Sequence, residues 1–182
     1  MMKCRIFSKL IFILFLIVMV NATASGQKPQ RPLKEGDPIP TFSLKDQDGH
    51  VFNVADYIGK QILVIYFYPK DESMVCTKEA CAFRDSYDQF IHTGAKIIGI
   101  NDGPVASHKA FQQHHQLPFT LLSDPGNKVY DMFGIKGKLF LPGRKTFVVD
   151  LKGKIVYTHE AFLAGQEHAD ETLKFIKASS GK

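Results

Sequence analysis

Several features are scarce in this sequence, and each scarcity narrows the possible functions. The 182 residues include only three cysteines and no Cys-x-x-Cys pair, the most common dithiol redox motif. No basic patch with interleaved aromatic side chains suggests nucleic-acid binding. The longest uninterrupted apolar run, Leu10–Val20, has 11 residues, whereas a membrane-spanning helix needs about 20. No repeat or low-complexity segment stands out.

The N-terminus has the layout of a secretory signal peptide. Three basic residues precede the apolar run, and Ala22, Thr23 and Ala24 follow it as an A-x-A cleavage pattern. We therefore predict that residues 1–24 are a signal peptide and that the protein is exported, either to a periplasm or to the outside. An uncleaved anchor is the alternative. Without these residues the formal net charge falls from +5 to +2, so the basicity is largely a targeting feature.

The rest of the chain predicts an extended leader followed by one α/β domain. Residues 25–40 are rich in Pro, Lys and Gly, and the domain spans residues 41–182. Alternating apolar residues around Asp48-Gly49 predict an N-terminal β-hairpin. Further along, apolar strands alternate with amphipathic helices, which predicts a mixed central sheet flanked by helices. The predicted strands are 62–68, 96–101, 119–123, 146–150 and 155–159, and the predicted helices are 53–57, 76–90, 105–115, 128–133 and 169–178.

Cys76 and Cys81 are the feature with the clearest chemistry. A buried strand ends at Pro69, a polar loop follows, and Cys76 opens a predicted helix. A thiol at a helix N-terminus is favoured as the thiolate by unpaired N–H groups and the helix dipole. A second thiol five residues on can capture an oxidised first one. The pair therefore indicates cysteine redox chemistry.

A permanent structural disulfide and a zinc site are two other interpretations of this pair. On a regular helix the Cα atoms of Cys76 and Cys81 would lie roughly 8.7 Å apart, but a disulfide needs about 4.4–6.8 Å. This spacing is therefore unsuited to a permanent structural disulfide within a helix, although a pair that alternates between helix and disulfide could use it. Zinc would need two more ligands. His114 and His115 lie in another segment, and adjacent helical residues point about 100° apart, which makes them a poor chelating pair.

Longer motifs around the pair resemble those of a known family. Pro69, Ser73 and Cys76 match the peroxiredoxin pattern Pro-x-x-x-Thr/Ser-x-x-Cys. The segment from Cys76 to Cys81 is similar to the Q-type subgroup, also called bacterioferritin comigratory protein or thioredoxin-dependent thiol peroxidase. Other blocks that resemble the family are residues 36–44, 121–125 and 144–150.

The chain departs from the subgroup at two places beside Cys76. Ser73 stands where Thr is usual, and it supplies the same hydroxyl with less rotamer restriction. Met74 and Val75 replace a small Pro-Gly pair, which makes the rim of the pocket bulkier and brings in an oxidisable thioether.

The resemblance implies a thioredoxin-like fold and a thiol peroxidase that reduces hydrogen peroxide and organic hydroperoxides. Cys76 is implied to attack the peroxide, and its sulfenic acid to condense with Cys81 into an intramolecular disulfide. Arg144 would lie beside Cys76, favouring the thiolate and donating to the peroxide. Ser73 would position the peroxide, and Pro69 would shape the pocket and shield the sulfur.

Two residues have a second interpretation, and the implied partners follow from the same resemblance. Arg144 could be an ordinary loop arginine, and Glu79 could either orient the site or be an exposed helix acid.

A thioredoxin-like dithiol protein is implied as the reductant and a monomer as the working form. We expect no metal, no cofactor, no nucleic acid and no stable membrane association after signal cleavage.

Two competing functions belong to other classes. One is an exported thioredoxin-like thiol-disulfide oxidoreductase, which usually uses the missing Cys-x-x-Cys motif. The other is a metal-binding or copper-delivery module on the same fold, for which the cysteine spacing is wrong.

Overall fold

The structure is a computed structural model, and it describes residues 31–137, 139 and 143–180. The strands are β1 (Ser43–Asp46), β2 (Val51–Asn53), β3 (Ile62–Phe67), β4 (Ala95–Asn101), β5 (Thr120–Ser123), β6 (Lys145–Val149) and β7 (Ile155–His159). The α-helices are α1 (Met74–Asp85), α2 (Tyr87–His92), α3 (Val105–His115), α4 (Lys128–Met132) and α5 (Gly165–Ser180). A 3-10 turn at Val54–Asp56 begins after Asn53, whose side chain accepts the Ala55 N–H at 3.2 Å.

All seven strands form one mixed sheet in the order β2-β1-β5-β4-β3-β6-β7. The centre is parallel, since β4 runs parallel to both β3 and β5. Antiparallel pairs β6–β7 and β1–β2 close the two sides, and β1–β2 is the predicted N-terminal hairpin. The predicted fold class, a thioredoxin-like mixed sheet flanked by helices, is confirmed.

The sheet separates two cores of unequal helix content. Alternation along β3 sends Val64 and Tyr66 to one face and Leu63 and Ile65 to the other, and all four are fully buried. The first face is covered by α1, α2, α3 and α5, which contribute buried residues such as Phe83, Phe90, Phe111 and Leu173. The second face is covered by α4, the 3-10 turn and the hairpin, with Phe52, Val54, Val129 and Phe133.

Two helices differ most from the predictions. The predicted helix 76–90 is two helices, α1 and α2, separated at Ser86. Helix α5 begins at Gly165, four residues before the predicted start, at a point where the chain passes against α1. A Cβ at Gly165 would collide with the Val75 carbonyl oxygen and lie 3.0 Å from the Glu79 nitrogen. Only a residue without a side chain permits this approach.

The segment before the hairpin lies along the opposite edge of the sheet. The Gly36 N–H donates to the Ile155 carbonyl at 2.8 Å, and the Ile155 N–H donates to the Asp37 carbonyl at 2.9 Å. The predicted signal peptide and residues 25–30 of the predicted leader lie outside the described residues. Among the helices that the structure describes, none combines the length and apolar character needed to span a bilayer.

Candidate active site

Cys76 lies in the first turn of α1, facing the interior. After β3 the chain crosses a loop in which Glu72 takes a φ of 58°, and Ser73 is the N-cap of the helix. The Ser73 carbonyl accepts the Thr77 N–H at 2.8 Å, and no acidic residue occupies the first turn. The Cys76 side chain is 1% exposed and its thiol is free. The positive end of the helix dipole therefore acts on a sulfur that is shielded from water.

Arg144 reaches this sulfur from the neighbouring strand. β6 pairs antiparallel with β3, and Phe67 lies opposite Lys145, so Arg144, which directly precedes β6, lies beside the loop that leads to α1. Its Nη2 lies 3.0 Å from Cys76 Sγ, and its side chain is 3% exposed. A guanidinium in a water-poor site interacts with a thiolate far more strongly than the same pair at the surface.

Glu79 shares the guanidinium with Cys76. Its Oε2 accepts a hydrogen bond from Arg144 Nη1, and its side chain is fully buried. Burial raises the pKa of Glu79 to about 8, because desolvation of the carboxylate outweighs the attraction of Arg144. Of the two interpretations of this residue, the exposed helix acid is therefore wrong.

His168 lies behind Glu79, and no sequence motif indicated it. Its Nδ1 is 2.8 Å from Thr146 Oγ1 and 3.5 Å from Glu79 Oε1, and its Nε2 is 3.0 Å from the Ala161 carbonyl oxygen. Burial lowers the pKa of His168 to about 4. The ring is therefore neutral at pH 7, with Nε2–H donating to Ala161 and Nδ1 accepting from the Thr146 hydroxyl. The only sequence signal was that His168 directly precedes a predicted helix.

A second buried carboxylate fixes the loop before α1. Asp71 accepts from Tyr68 Oη at 2.8 Å and Asn101 Nδ2 at 3.0 Å through one oxygen. Its other oxygen accepts from Ser107 Oγ at 2.6 Å and contacts His108 Nδ1 at 2.8 Å. Although burial alone would raise it, the pKa of Asp71 is lowered by the hydrogen bonds from His108 and Ser107. These partners come from the end of β3, from β4 and from α3, so the sequence alone could not predict that they meet.

Ser73 and Pro69 flank the site in different ways. The Ser73 hydroxyl donates to the Lys70 carbonyl at 3.2 Å and makes no side-chain capping bond. Pro69 is half-buried and lines a cavity of about 170 Å³. The other lining residues are Phe67, Tyr68, Ile100, Asn101, Asp102, Asp124, Asn127, Tyr130 and Gly143. Met74, in the bulky pair next to Cys76, is 73% exposed.

Cys81 lies two turns from the start of α1 and is half-buried and free. Arg84, one turn further on, donates to Asp85 Oδ1 at 2.9 Å and to the His115 carbonyl at 2.8 Å. The pKa of Arg84 is raised, chiefly by the hydrogen bond to Asp85, and the Cys81 thiol also contributes. The structure thus brings Cys76 and Arg144 into contact and leaves Cys81 in a separate environment on the same helix.

This arrangement suits a nucleophilic thiolate that meets a neutral, polar substrate. The buried Arg144 guanidinium contacts the sulfur, and both groups are held in place by the ends of a helix and a strand. Among the described residues, the side-chain groups able to hold a metal ion do not include either cysteine.

Comparisons with known proteins agree with this chemistry. A sequence model of the AhpC/TSA family matches residues 35–158. Peroxiredoxin Q, chloroplastic, of Suaeda salsa is 48% identical over 148 residues, covering 80% of this chain and 69% of the relative. The Arabidopsis thaliana protein of the same name is 49% identical over 149 residues, covering 81% and 68%.

Solved structures show the same likeness. Peroxidoxin BcpB from Mycobacterium tuberculosis superposes with a TM-score of 0.75 at 33% identity, covering 80% of this chain and 97% of that one. Xanthomonas campestris peroxiredoxin Q gives a TM-score of 0.70 at 31% identity, covering 76% and 91%.

The relatives also correct one prediction. The relatives from Suaeda salsa, Triticum aestivum and Arabidopsis thaliana all carry the word chloroplastic in their names. Export by a signal peptide is therefore contradicted, because these names indicate plastid targeting. The prediction was wrong because charged, apolar and small residues in that order describe the local composition without identifying the compartment.

Proposed function

The chain belongs to the AhpC/TSA family and to its peroxiredoxin Q branch, and from that premise we propose a mechanism for its peroxidase activity. The enzyme is a peroxidase of the oxidoreductase class. We propose that it reduces hydrogen peroxide and organic hydroperoxides with Cys76 as the nucleophile. The contact between Arg144 Nη2 and Cys76 Sγ, at 3.0 Å in a buried site, is the observation that carries the proposal.

The first step transfers one oxygen to sulfur. The Cys76 thiolate attacks the terminal oxygen of the hydroperoxide, an S–O bond forms and the O–O bond breaks. The leaving oxygen departs as hydroxide or alkoxide and takes up a proton to become water or an alcohol. Arg144 stabilises the thiolate and then donates to the peroxide oxygens as charge moves onto them.

Ser73 and Pro69 are assigned supporting roles. The Ser73 hydroxyl now donates to a backbone carbonyl, and a rotation about its side-chain bond would let it orient a bound peroxide. Pro69 begins the loop before α1 and is half-buried, so it limits the approach of water to the sulfur. Glu79 accepts the hydrogen bond from Arg144 Nη1 and so keeps Nη2 of the guanidinium oriented toward Cys76.

The second step uses Cys81. Its thiol attacks the sulfur of the Cys76 sulfenic acid, a disulfide forms and water leaves. A helix holds these residues too far apart to bond, so the first turns of α1 must open at this step. A thioredoxin-like dithiol protein then reduces the disulfide and becomes oxidised itself. We assign this work to a monomer with the domain at residues 41–182.

A peroxidase assay on the purified protein tests the proposal. With a thioredoxin and its reductase as electron donor, the protein should consume peroxide continuously, and Cys76→Ser should abolish the consumption. Wild-type turnover in Cys76→Ser would contradict the mechanism. Disulfide reductase activity without peroxide consumption would favour the alternative, a thioredoxin-like thiol-disulfide oxidoreductase, for which the chain lacks the usual motif.

A further inference from the structure

A cluster of two imidazoles and one carboxylate lies next to the start of α1. His114 Nδ1 is 3.0 Å from Glu72 Oε1, and His115 Nε2 is 2.9 Å from Glu72 Oε2. The centroids of the two imidazole rings are 4.3 Å apart. Although adjacent helical residues usually point about 100° apart, both of these rings approach the same carboxylate. They stand at the C-terminal end of α3, where both rings turn toward one side chain.

The geometry and the chemistry of this cluster match a metal site. Two imidazoles with one carboxylate form a common zinc ligand set, which leaves a fourth position for water. Zinc bonds of about 2.0–2.1 Å in tetrahedral geometry place ligand atoms roughly 3.3 Å apart. The imidazole–carboxylate distances are already close to this spacing, and the three ligand atoms all lie within 4.8 Å of one another. We propose that Glu72, His114 and His115 bind a divalent transition-metal ion of the zinc class.

Access and backbone conformation support the same site. The side chains of Glu72 and His114 are 47% and 70% exposed, so an ion can reach them from solvent. The side chain of His115 is 17% exposed, and its backbone carbonyl accepts a bond from Arg84, which holds the residue in place. Glu72 adopts a left-handed backbone conformation that few residues other than glycine take up. Its carboxylate is directed toward α3 in this conformation.

A second cluster provides a matched control. Asp46, Asp48 and His50 also lie within ligand distance of one another in the hairpin turn. Their carboxylates are already occupied, because Asp46 Oδ1 accepts two backbone N–H groups and Asp48 Oδ1 accepts from Lys109 Nζ at 2.6 Å. It also has one imidazole instead of two, and imidazole is the better ligand for this class of metal. We therefore expect no comparable site there.

A bound ion would join the loop before α1 to the end of α3. Asp71 in this loop already makes hydrogen-bond contacts with Ser107 and His108 near the start of α3. An ion bound by Glu72 would add a second attachment, at the C-terminal end of α3. Ser73, the N-cap of α1, follows Glu72 directly. The ion would oppose opening of the first turns of α1. This consequence for the reaction cycle rests on the proposed function, whereas metal binding itself does not.

Calorimetric titration with zinc chloride tests the site without interference from thiols. The full chain is used with Cys4, Cys76 and Cys81 replaced by serine, so that a negative result leaves the peroxidase mechanism untouched. We expect one zinc ion per chain. Glu72→Gln and His115→Ala should weaken binding by more than about 100-fold, the upper end of losses caused by changes outside the ligand shell. His50→Ala should bind as the parent does. Absence of saturable binding, or parent-like binding by Glu72→Gln, would overturn the proposal.

Amide hydrogen exchange on the same proteins tests the coupling to α1. Zinc should slow exchange in peptides that cover residues 70–77 of the parent and of His50→Ala. It should leave the same peptides of Glu72→Gln unchanged. Equal exchange with and without zinc in the parent, at saturating metal, would show that the ion does not restrain the helix start.

Discussion

Cys76 and Cys81 lie five residues apart on one helix, in surroundings that differ in water access and in charge. Cys76 is 1% exposed and contacts a guanidinium that is itself buried. Cys81 is half-buried, and the nearby Arg84 is already paired with Asp85. The proposed mechanism uses this difference, with Cys76 attacking the peroxide and Cys81 reacting later with the oxidised sulfur.

The difference explains why we assign the nucleophile to Cys76 and not to Cys81. Both residues belong to α1, so helix membership alone does not distinguish them. Coulomb interactions grow several-fold as the local dielectric constant falls, and only Cys76 meets its cation in the interior. Removing one element of either environment should therefore separate the first chemical step from the second.

Replacing Arg144 should produce the largest loss in the first step. Without the guanidinium, the developing charge loses the cation that contacts Cys76 and keeps only the weaker effect of the helix N-terminus. We therefore expect Arg144→Ala to slow oxidation by peroxide by about 10²–10³-fold. Stopped-flow measurement of sulfenic acid formation checks this. Arg144→Lys keeps a positive charge beside Glu79 and serves as the control for folding. It should retain only part of the rate, because an ammonium keeps the charge but cannot contact the sulfur and the Glu79 side chain through two parallel bonds. Oxidation of Arg144→Ala at the wild-type rate would contradict the role.

Replacing Cys81 should leave the first step intact and stop the second. Cys81→Ser should consume about one equivalent of peroxide and retain a sulfenic acid that a dimedone probe traps. Turnover with a thioredoxin-type donor should fall sharply, and small thiols should restore it in part. The matched variant Cys76→Ser should show neither consumption nor trapping. Full donor-supported turnover in Cys81→Ser would show that another group resolves the sulfenic acid.

Oxidation should open the helix only between the two cysteines. After one equivalent of peroxide, peptides covering residues 75–82 should exchange amide hydrogens faster, because the disulfide cannot form within a regular helix. Phe83 is fully buried beyond this region and should hold the rest of α1 in place. Strand β3 should stay protected and serves as the internal reference. Equal protection in both redox states, with the disulfide confirmed by mass, would rule out the opening.

The smallest expected effect is on the pH dependence of the free energy of unfolding, and it comes from His168 behind the Cys76 site. The pKa of His168 is lowered from its ordinary value near 6.5 to about 4 in the folded protein. Its contribution to stability is therefore present above pH 6.5 and is lost as the pH falls through about 4, since the unfolded chain binds the proton more tightly. Urea unfolding at pH 4–7 should show a steeper loss for wild type than for His168→Gln. Parallel curves would mean that this ring does not titrate with folding.

The location of Arg144 illustrates the limit of sequence reasoning. The resemblance predicted that Arg144 lies beside Cys76, because Arg144 belongs to a short local motif. Its contact with Cys76, 68 positions away, depends on the antiparallel pairing of β6 with β3. His168 and Asp71 had no motif, and their partners come from three or more separate elements, so neither could be assigned a role.

The sequence by itself determined the succession of strands and helices, the N-terminal hairpin and the cysteine pair. These features depend on local periodicities of 2 and 3.6 residues and on spacing along one chain. The tertiary structure alone decided that Glu79 is buried, that His168 is neutral and that His114 and His115 meet Glu72. Those properties depend on which elements exclude water from a side chain and which charges they bring to it, and residues distant in the chain supply both.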